Sequence, residues 1–327
     1  MNLPVIFALT PESFLPHTLL HNHDQNFRET NCYSDLIIEI VNGFGLNSIA
    51  CLGYTLAADF EIDQWTFGKP SHHDLQTMYG MRIEELSLYR ALEDQLLAQV
   101  SRGAIPLLEA DSFHLPDTAG IDYRHAHVKT TIGITAMDTV NKTMSYFHNA
   151  AFATLEGEDY EGIVRPLASL REGYLPPYCE MIKLDKVQQL GEQQLRELAF
   201  DSAAFHFKKR SENNPISAHA AAMQAHQETI VAGGLSAYHA YTFVALRQLG
   251  AAHQLGAHFL RWLGNGDTDF NEAAAMFDQI SGTAKTLVLK LARVANSGKL
   301  ADLSAAFNDM ATQWENSHAI LQKILVK

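Results

Sequence analysis

Cysteine is scarce: the 327 residues hold three, Cys32, Cys51 and Cys179, with no paired or metal-type spacing. This argues against a disulfide framework and against a cysteine zinc site. Positive charge is short as well. Against 37 Asp and Glu stand 24 Lys and Arg, a formal net charge of −13, which speaks against nonspecific binding to nucleic acid or to an anionic membrane. Neither a P-loop nor Gly-x-Gly-x-x-Gly occurs, so nothing supports nucleotide binding, and no cofactor is expected. The opening "MNLPVIFALTPESF" has no basic stretch, and Pro4 and Pro11 cut its apolar run, so neither a signal peptide nor a membrane anchor fits. No other segment approaches an uninterrupted transmembrane span, and the expectation is a cytoplasmic protein. No fixed-period repeat or low-complexity tract is present.

What is there suffices for a core: 47% of the residues are hydrophobic, and the length suits one large domain or two modest ones. Up to about residue 185, short helical patterns mix with β-like runs, and nearly all of the ten prolines fall there. From "LDKVQQLGEQQLRELAF" onward the periodicity is helical, with Asn214-Pro215 marking a helix start and a last helix around Trp314. The expected division is an α+β domain over 1–185 and an all-α domain over 186–327.

Within the first part, Leu36, Ile37, Ile40, Val41 and Phe44 recur at helical spacing after a cap at Asn31, which predicts a buried helix beginning at Cys32. A second helix is expected over "IEELSLYRALEDQLLAQVSRG", followed by a strand, "AIPLLEAD". The runs "HVKTTIGITAMD" and "TMSYFHNAAFATL" read as neighbouring antiparallel strands on either side of "TVNK". Val128, Ile132 and Ile134 share one face of the first, which leaves His127 on the other with Lys129 and Thr131.

A helix N-terminus favours a thiolate, because amide donors without helical partners and the helix dipole stabilise negative charge there. A nucleophilic cysteine also needs a base and a group to orient that base. The order cysteine on a helix, histidine on a strand, then Asn or Asp on the next strand is available here as Cys32, His127 and Asn149. His125 could replace His127, and His148 could replace Asn149. Gln25 and Asn26 could donate to an oxyanion together with the backbone amide of Cys32. The competing reading is that Cys32 is a buried small residue and that 16 histidines offer accidental pairs. Cys51 and Cys179, in apolar surroundings, read as structural.

The segments "NCYSDL", "DQWTFGKP", "LLEADSFHLPDTAGIDYRHAHVKTTIGI" and "YFHNAAFATLEGEDYEG" resemble a bacterial family of unknown function whose members often accompany carrier proteins and amino acid:carrier-protein ligases. That family is more distantly similar to the papain-like N-terminal domain of the butirosin-biosynthesis acyltransferase, which moves an acyl group from a carrier protein to an amine. The shared points are the cysteine before the helix, the strand end Asp111 to Pro116 and the downstream histidine. The resemblance implies a papain-like domain, Cys32 as nucleophile and His127 as base, with the third member open between Asn149 and His148. It implies as partner an acyl carrier protein with its phosphopantetheine arm, and as acceptor an amine or another small molecule or protein. Hydrolysis as a thioesterase, amidase or peptidase, and noncatalytic binding of a carrier protein, are the alternatives. Because carrier proteins are acidic, such a partner calls for a basic patch, for which Lys129, Lys142 and Arg124 are candidates.

Other groups carry weaker signals. His21, His23 and Asp24, with His72-His73 and His125-Ala-His127, could form a metal site, but no zincin helix motif supports one and no metal is expected. His219, His226, His253 and His258 read as solvated helix surface. In "DFEIDQWTFGKP", Trp65 either shapes a substrate cleft or anchors a long loop to the core. The "KKR" at 208–210 reads as a solvated helix end, too short to signal nucleic acid.

Overall fold

The computed structural model describes residues 9–21, 27, 30–165 and 176–326, the side chain of His21 excepted. In chain order the elements are α1 (Thr18–His21), α2 (Cys32–Gly43), a 3-10 helix (Ser48–Ala57), the short β1 (Phe60–Glu61) and β2 (Gln64–Trp65), α3 (His72–Tyr79), β3 (Arg82–Glu85), α4 (Leu92–Ser101) and β4 (Ile105–Asp111). There follow β5 (Lys129–Asp138), β6 (Thr143–His148), β7 (Ala151–Glu156), α5 (Gly157–Val164) and β8 (Cys179–Lys183). The remainder is helical: α6 (Glu192–Lys209), α7 (Pro215–Thr242), α8 (Gln248–Gly264), α9 (Thr268–Ser297) and α10 (Ser304–Leu325). The chain is thus mixed α+β, sheet-rich first and all-helical after. It divides into two compact units that interleave in sequence: Met1–Thr18, Cys32–Ser48 and His72–Leu190 form one, and Leu19–Asn31, Ile49–Ser71 and Gly191–Lys327 the other. A single cut at 185/186 misses the two early segments that belong with the helices.

The sheet unit carries six strands in the order β3-β8-β4-β5-β6-β7, every neighbouring pair antiparallel. Two sequence expectations need correction here. The stretch from Ile83 was expected to be helical, yet β3 occupies Arg82–Glu85 because Ile83 pairs with Ile182 of β8, a partner about a hundred residues away that no local pattern reveals. The run "TMSYFHNAAFATL" is two strands rather than one, since Asn149 turns the chain with φ 46°, a left-handed conformation that Asn tolerates better than most residues.

One face of the sheet is apolar: Ile132, Ile134, Met144 and Tyr146 pack with Leu96 and Val100 of α4 and Ile163 of α5. The other face receives α2, whose Leu36 and Ile40 approach β5 at Gly133; a Cβ there would lie 3.1 Å from both side chains. Gly133 therefore sets how closely the helix that begins at Cys32 lies on the strand. Overfilling that contact with Gly133→Val is expected to cost about 1–3 kcal/mol, read as a lower urea midpoint of the full-length protein. Further along α2, Glu39 is buried and accepts the His17 backbone N–H at 2.9 and 3.1 Å. Burial pushes its pKa up to about 7, although the His17 and Asn42 hydrogen bonds oppose the shift.

In the helical unit, α9 packs on α8, α10 and α7. Asn214 caps α7 as the sequence predicts, its side chain accepting the Ile216 N–H at 3.0 Å. The short β1–β2 hairpin pairs Phe60 with Trp65, and Trp65 is buried, its Nε1 donating to His219 Nδ1 at 3.0 Å. Of the two readings of Trp65, this is the loop anchor. His219 and His253 are buried rather than solvated. Burial is tolerable for His219 because it accepts from Trp65 and its Nε2 meets Tyr241 Oη at 2.6 Å. A π-helical turn at Phe243–Arg247 joins α7 to α8. Among the described residues, one resulting helical run, Pro215–Gly264, is long and apolar enough to cross a membrane by length and composition. That corrects the expectation that no segment approaches such a length, although a single run of this kind is weak evidence of a span.

Candidate active site

The sheet unit places Cys32 as the first residue of α2, partly exposed, and buries Cys179 at the start of β8, while Cys51 is buried in the helical unit; none of the three is in a disulfide. The apolar stripe of α2 lies against β5, so the start of the helix reaches the next residue along that face. Cys32 Sγ sits 4.0 Å from Thr131 Oγ1. One residue later, Tyr33 Oη donates to Glu180 Oε2 at 2.8 Å, and Tyr178 Oη donates to Glu180 Oε1 at 2.8 Å. Burial, reinforced by the Glu180 carboxylate, keeps both phenols protonated.

On the same face the β4–β5 register sets Glu109 opposite Thr131 and Asp111 opposite Lys129. His127, just before β5, turns its Nδ1 to Asp111 Oδ2 at 2.6 Å and stacks on Phe113, ring centroids 4.5 Å apart. Asp111 also accepts the Phe113 N–H at 3.1 Å, which fixes the carboxylate. With a carboxylate on Nδ1, the proton resides there and Nε2 is left as the basic nitrogen, the arrangement a general base requires. The ring is accessible, with 69% of the side chain exposed. Its contacts are not with Cys32. Thr131 lies four residues further along, a spacing of roughly 13 Å in extended chain, and the Lys129–Glu109 ion pair at 3.0 Å occupies the row between.

His148 belongs to a second constellation. Its Nδ1 meets Asp117 Oδ2 at 2.6 Å and its Nε2 meets Thr130 Oγ1 at 2.8 Å, while Tyr146 Oη donates to Asp117 Oδ1. This histidine is only 2% exposed, and Thr130 faces away from Thr131 and Cys32. It is a fastened core group. Asn149 is not brought to His127; its Oδ1 is buried with no hydrogen-bond partner among the described residues. His125 is exposed. Gln25 and Asn26 lie outside the described residues, as do His23 and Asp24 of the metal reading. Among the described residues no group of three or more His, Cys, Asp or Glu is placed to hold a metal ion.

The partner of His127 was therefore visible only in part. Asp111 stands in the sequence as a strand end, but its bond to His127 follows from the antiparallel register of β4 and β5, which carries both residues to one face. Thr131 had no signal of its own beyond sharing that face.

No curated protein matches this chain. Two adjoining family signatures do: the DUF1839 N-terminal domain over residues 16–184 and the DUF1839 C-terminal domain over residues 192–323. Together they span most of both units, and the chain belongs to the DUF1839 family.

Proposed function

We propose that the protein is a cysteine-dependent acyltransferase whose sheet unit is papain-like, with Cys32 as nucleophile, His127 as base and Asp111 in place of Asn149 as the group that orients the imidazole. The observation that carries this reading is the 2.6 Å Asp111–His127 pair, on the sheet face against which the Cys32-bearing helix packs. In the first half-reaction the Cys32 thiolate adds to the carbonyl of a thioester. The carbonyl carbon–sulfur bond of the donor breaks, the donor thiolate leaves, and acyl-Cys32 remains. In the second an amine attacks that thioester, His127 takes its proton and Cys32 is released as thiolate. The chemistry requires His127 to come within hydrogen-bond reach of Cys32 when substrate is bound.

The donor we favour is a thioester on a phosphopantetheine arm. A donor gripped by charge is less well supported, because each suggested cation faces a carboxylate: Lys129 pairs with Glu109, Lys142 with Glu161, and Arg124 with Asp159 at 2.7 Å. A noncatalytic role is favoured by one observation, that among the described residues Cys32 Sγ meets Thr131 rather than a base. Intact-protein and peptide mass spectrometry after incubation with acyl-pantetheine thioesters decides between them. The expected result is an acyl adduct on Cys32, discharged by added amines and more slowly by water alone. An adduct that water discharges just as fast points to a hydrolase. No adduct with pantetheine or carrier-protein thioesters removes the enzyme reading.

A further inference from the structure

Arg82 and Lys183 stand directly opposite each other where β3 pairs with β8, and like charges in that register destabilise a sheet. Met181, two residues before Lys183, pairs with Pro106 of β4, so these side chains share the face on which Leu108 packs with α4. Thr131 and Cys32 belong to the opposite face, and a ligand bound here would be distinct from the acyl-transfer site. The turn from α4 into β4 brings a third cation. Arg102 is exposed, and its Nη2 lies against Met181 Sδ, a weak acceptor.

Between these groups lies a cavity of about 420 Å³, lined by Arg82, Arg102 and Lys183 together with Asp185. That volume falls within the roughly 300–1,000 Å³ that small-molecule sites occupy. Acids are present, and their pairings decide what remains. Arg82 Nη2 donates to both Asp185 oxygens at 3.1 Å, and these bonds, with Lys186 assisting, hold the Asp185 carboxyl below its usual pKa. Lys183 Nζ is 3.5 Å from Glu84, longer than a good hydrogen bond. Both carboxylates are half-exposed or more, at 59% and 51%, so water screens them. Arg82, Arg102, Lys183 and Lys186 set against Glu84 and Asp185 sum to a positive charge, in a chain that is strongly negative overall. Arg82 Nε is moreover buried with no hydrogen-bond partner among the described residues. The last carbonyls of α4 would repel an anion, but they are occupied. Arg102 and Ala104 donate their N–H groups to Gln99 O at 3.2 and 3.0 Å, and Gly103 donates to Val100 O at 2.9 Å.

We propose that this cavity binds a small phosphate monoester, its phosphate held by Arg102 and Lys183 beside the Arg82–Asp185 pair. A phosphate monoester carries close to two negative charges at neutral pH and accepts parallel N–H bonds from a guanidinium fork. A second negative charge is what separates it from a carboxylate, and it is the charge that relieves the opposition of Arg82 and Lys183.

Isothermal titration of the full-length protein with phenyl phosphate and with benzoate tests this without any assay of catalysis. Phenyl phosphate is expected to bind saturably and at least about tenfold more tightly than benzoate. Arg102→Met and Lys183→Met are each expected to weaken phenyl phosphate about tenfold, while Asp185→Asn, which takes an acid out of the wall, tightens it about threefold. Circular dichroism checks that the variants keep the fold, and the comparison of the two probes on the unaltered protein needs no variant. Equal binding of phenyl phosphate and benzoate, affinity unchanged in both Met variants, affinity lowered by Asp185→Asn, or no phenyl phosphate binding at about 10 mM would each overturn the proposal.

Discussion

Cys32→Ala is expected to reduce acyl transfer to the uncatalysed background, and His127→Ala to slow it by about 10³-fold. The first removes the only atom that can carry the acyl group. The second removes the base but leaves the sulfur, so residual activity should rise with pH as the solution deprotonates the thiol. Asp111→Asn should fall between wild type and His127→Ala. An amide can hold the ring by donating to Nδ1, which puts the proton on Nε2, the wrong nitrogen for a base. None of the three is expected to unfold the protein: the His127 and Asp111 side chains are 69% and 36% exposed, and Cys32 to Ala leaves little space to fill. The companion measurement is the iodoacetamide rate of each cysteine across pH, resolved by peptide mass spectrometry. Cys51 and Cys179 serve as internal references, since both are buried and burial pushes the Cys179 thiol up to about 12. If Cys32 labels at the same rate with and without His127, the two do not work as a pair, and acyl transfer by this mechanism is lost.

The helical unit is expected to lose stability steeply in acid. Three of its histidines are held neutral by burial, His219 with a pKa of about 3, His253 about 4 and His318 about 3. For His219 the neighbouring His226 pushes in the same direction, whereas backbone carbonyls oppose the shift at His253 and His318. Each pKa lies below the unfolded value of about 6.5. Below that pH the unfolded chain binds protons that the native one does not, so stability is fully present above about pH 6.5 and falls with pH down to the folded values. Three groups at about 1.4 kcal/mol per pH unit each amount to about 6 kcal/mol by pH 5, a large part of a typical folding free energy. Glu39 in the sheet unit works the other way: with its folded pKa raised to about 7, its contribution is present at low pH and lost as pH rises from about 4.5 to 7.

The two effects can be read separately, because all three tryptophans, Trp65, Trp262 and Trp314, lie in the helical unit. Trp65 donates to His219, and Trp314 stacks on His318 with centroids 3.8 Å apart. The urea midpoint followed by tryptophan fluorescence should therefore drop sharply between pH 6.5 and pH 5. A midpoint that stays level across that window would mean the histidines are protonated in the native state.

Local periodicity revealed those parts of the architecture that local forces decide. The apolar spacing of Leu36, Ile37, Ile40 and Val41 located α2 and put Cys32 at its first turn, and the alternation through Lys129, Thr131 and Ile132 assigned the faces of β5 correctly. Where pairing is remote the pattern was silent. Nothing near Ile83 announces β8, and nothing near His219 announces that Trp65 will donate to it from 154 residues away. The same limit explains the site. Cys32 and His127 each have a local signature, but Asp111 becomes the partner of His127 only once β4 and β5 are in register. Asn149, the closer guess by chain order, instead takes a left-handed turn conformation.

The interleaving of the two units bears on the order in which the chain can fold as it is made. Residues 19–31 and 49–71 leave the ribosome early, yet the unit they complete is built from residues beyond 190. Until those helices are synthesised, Phe60 and Trp65 have no core to enter, and such waiting apolar segments are what chaperones recognise. The sheet unit, whose last strand ends at Lys183, can close first. Biosynthesis thus imposes a sequence of events, sheet before helices, with the early loop left waiting for its partners.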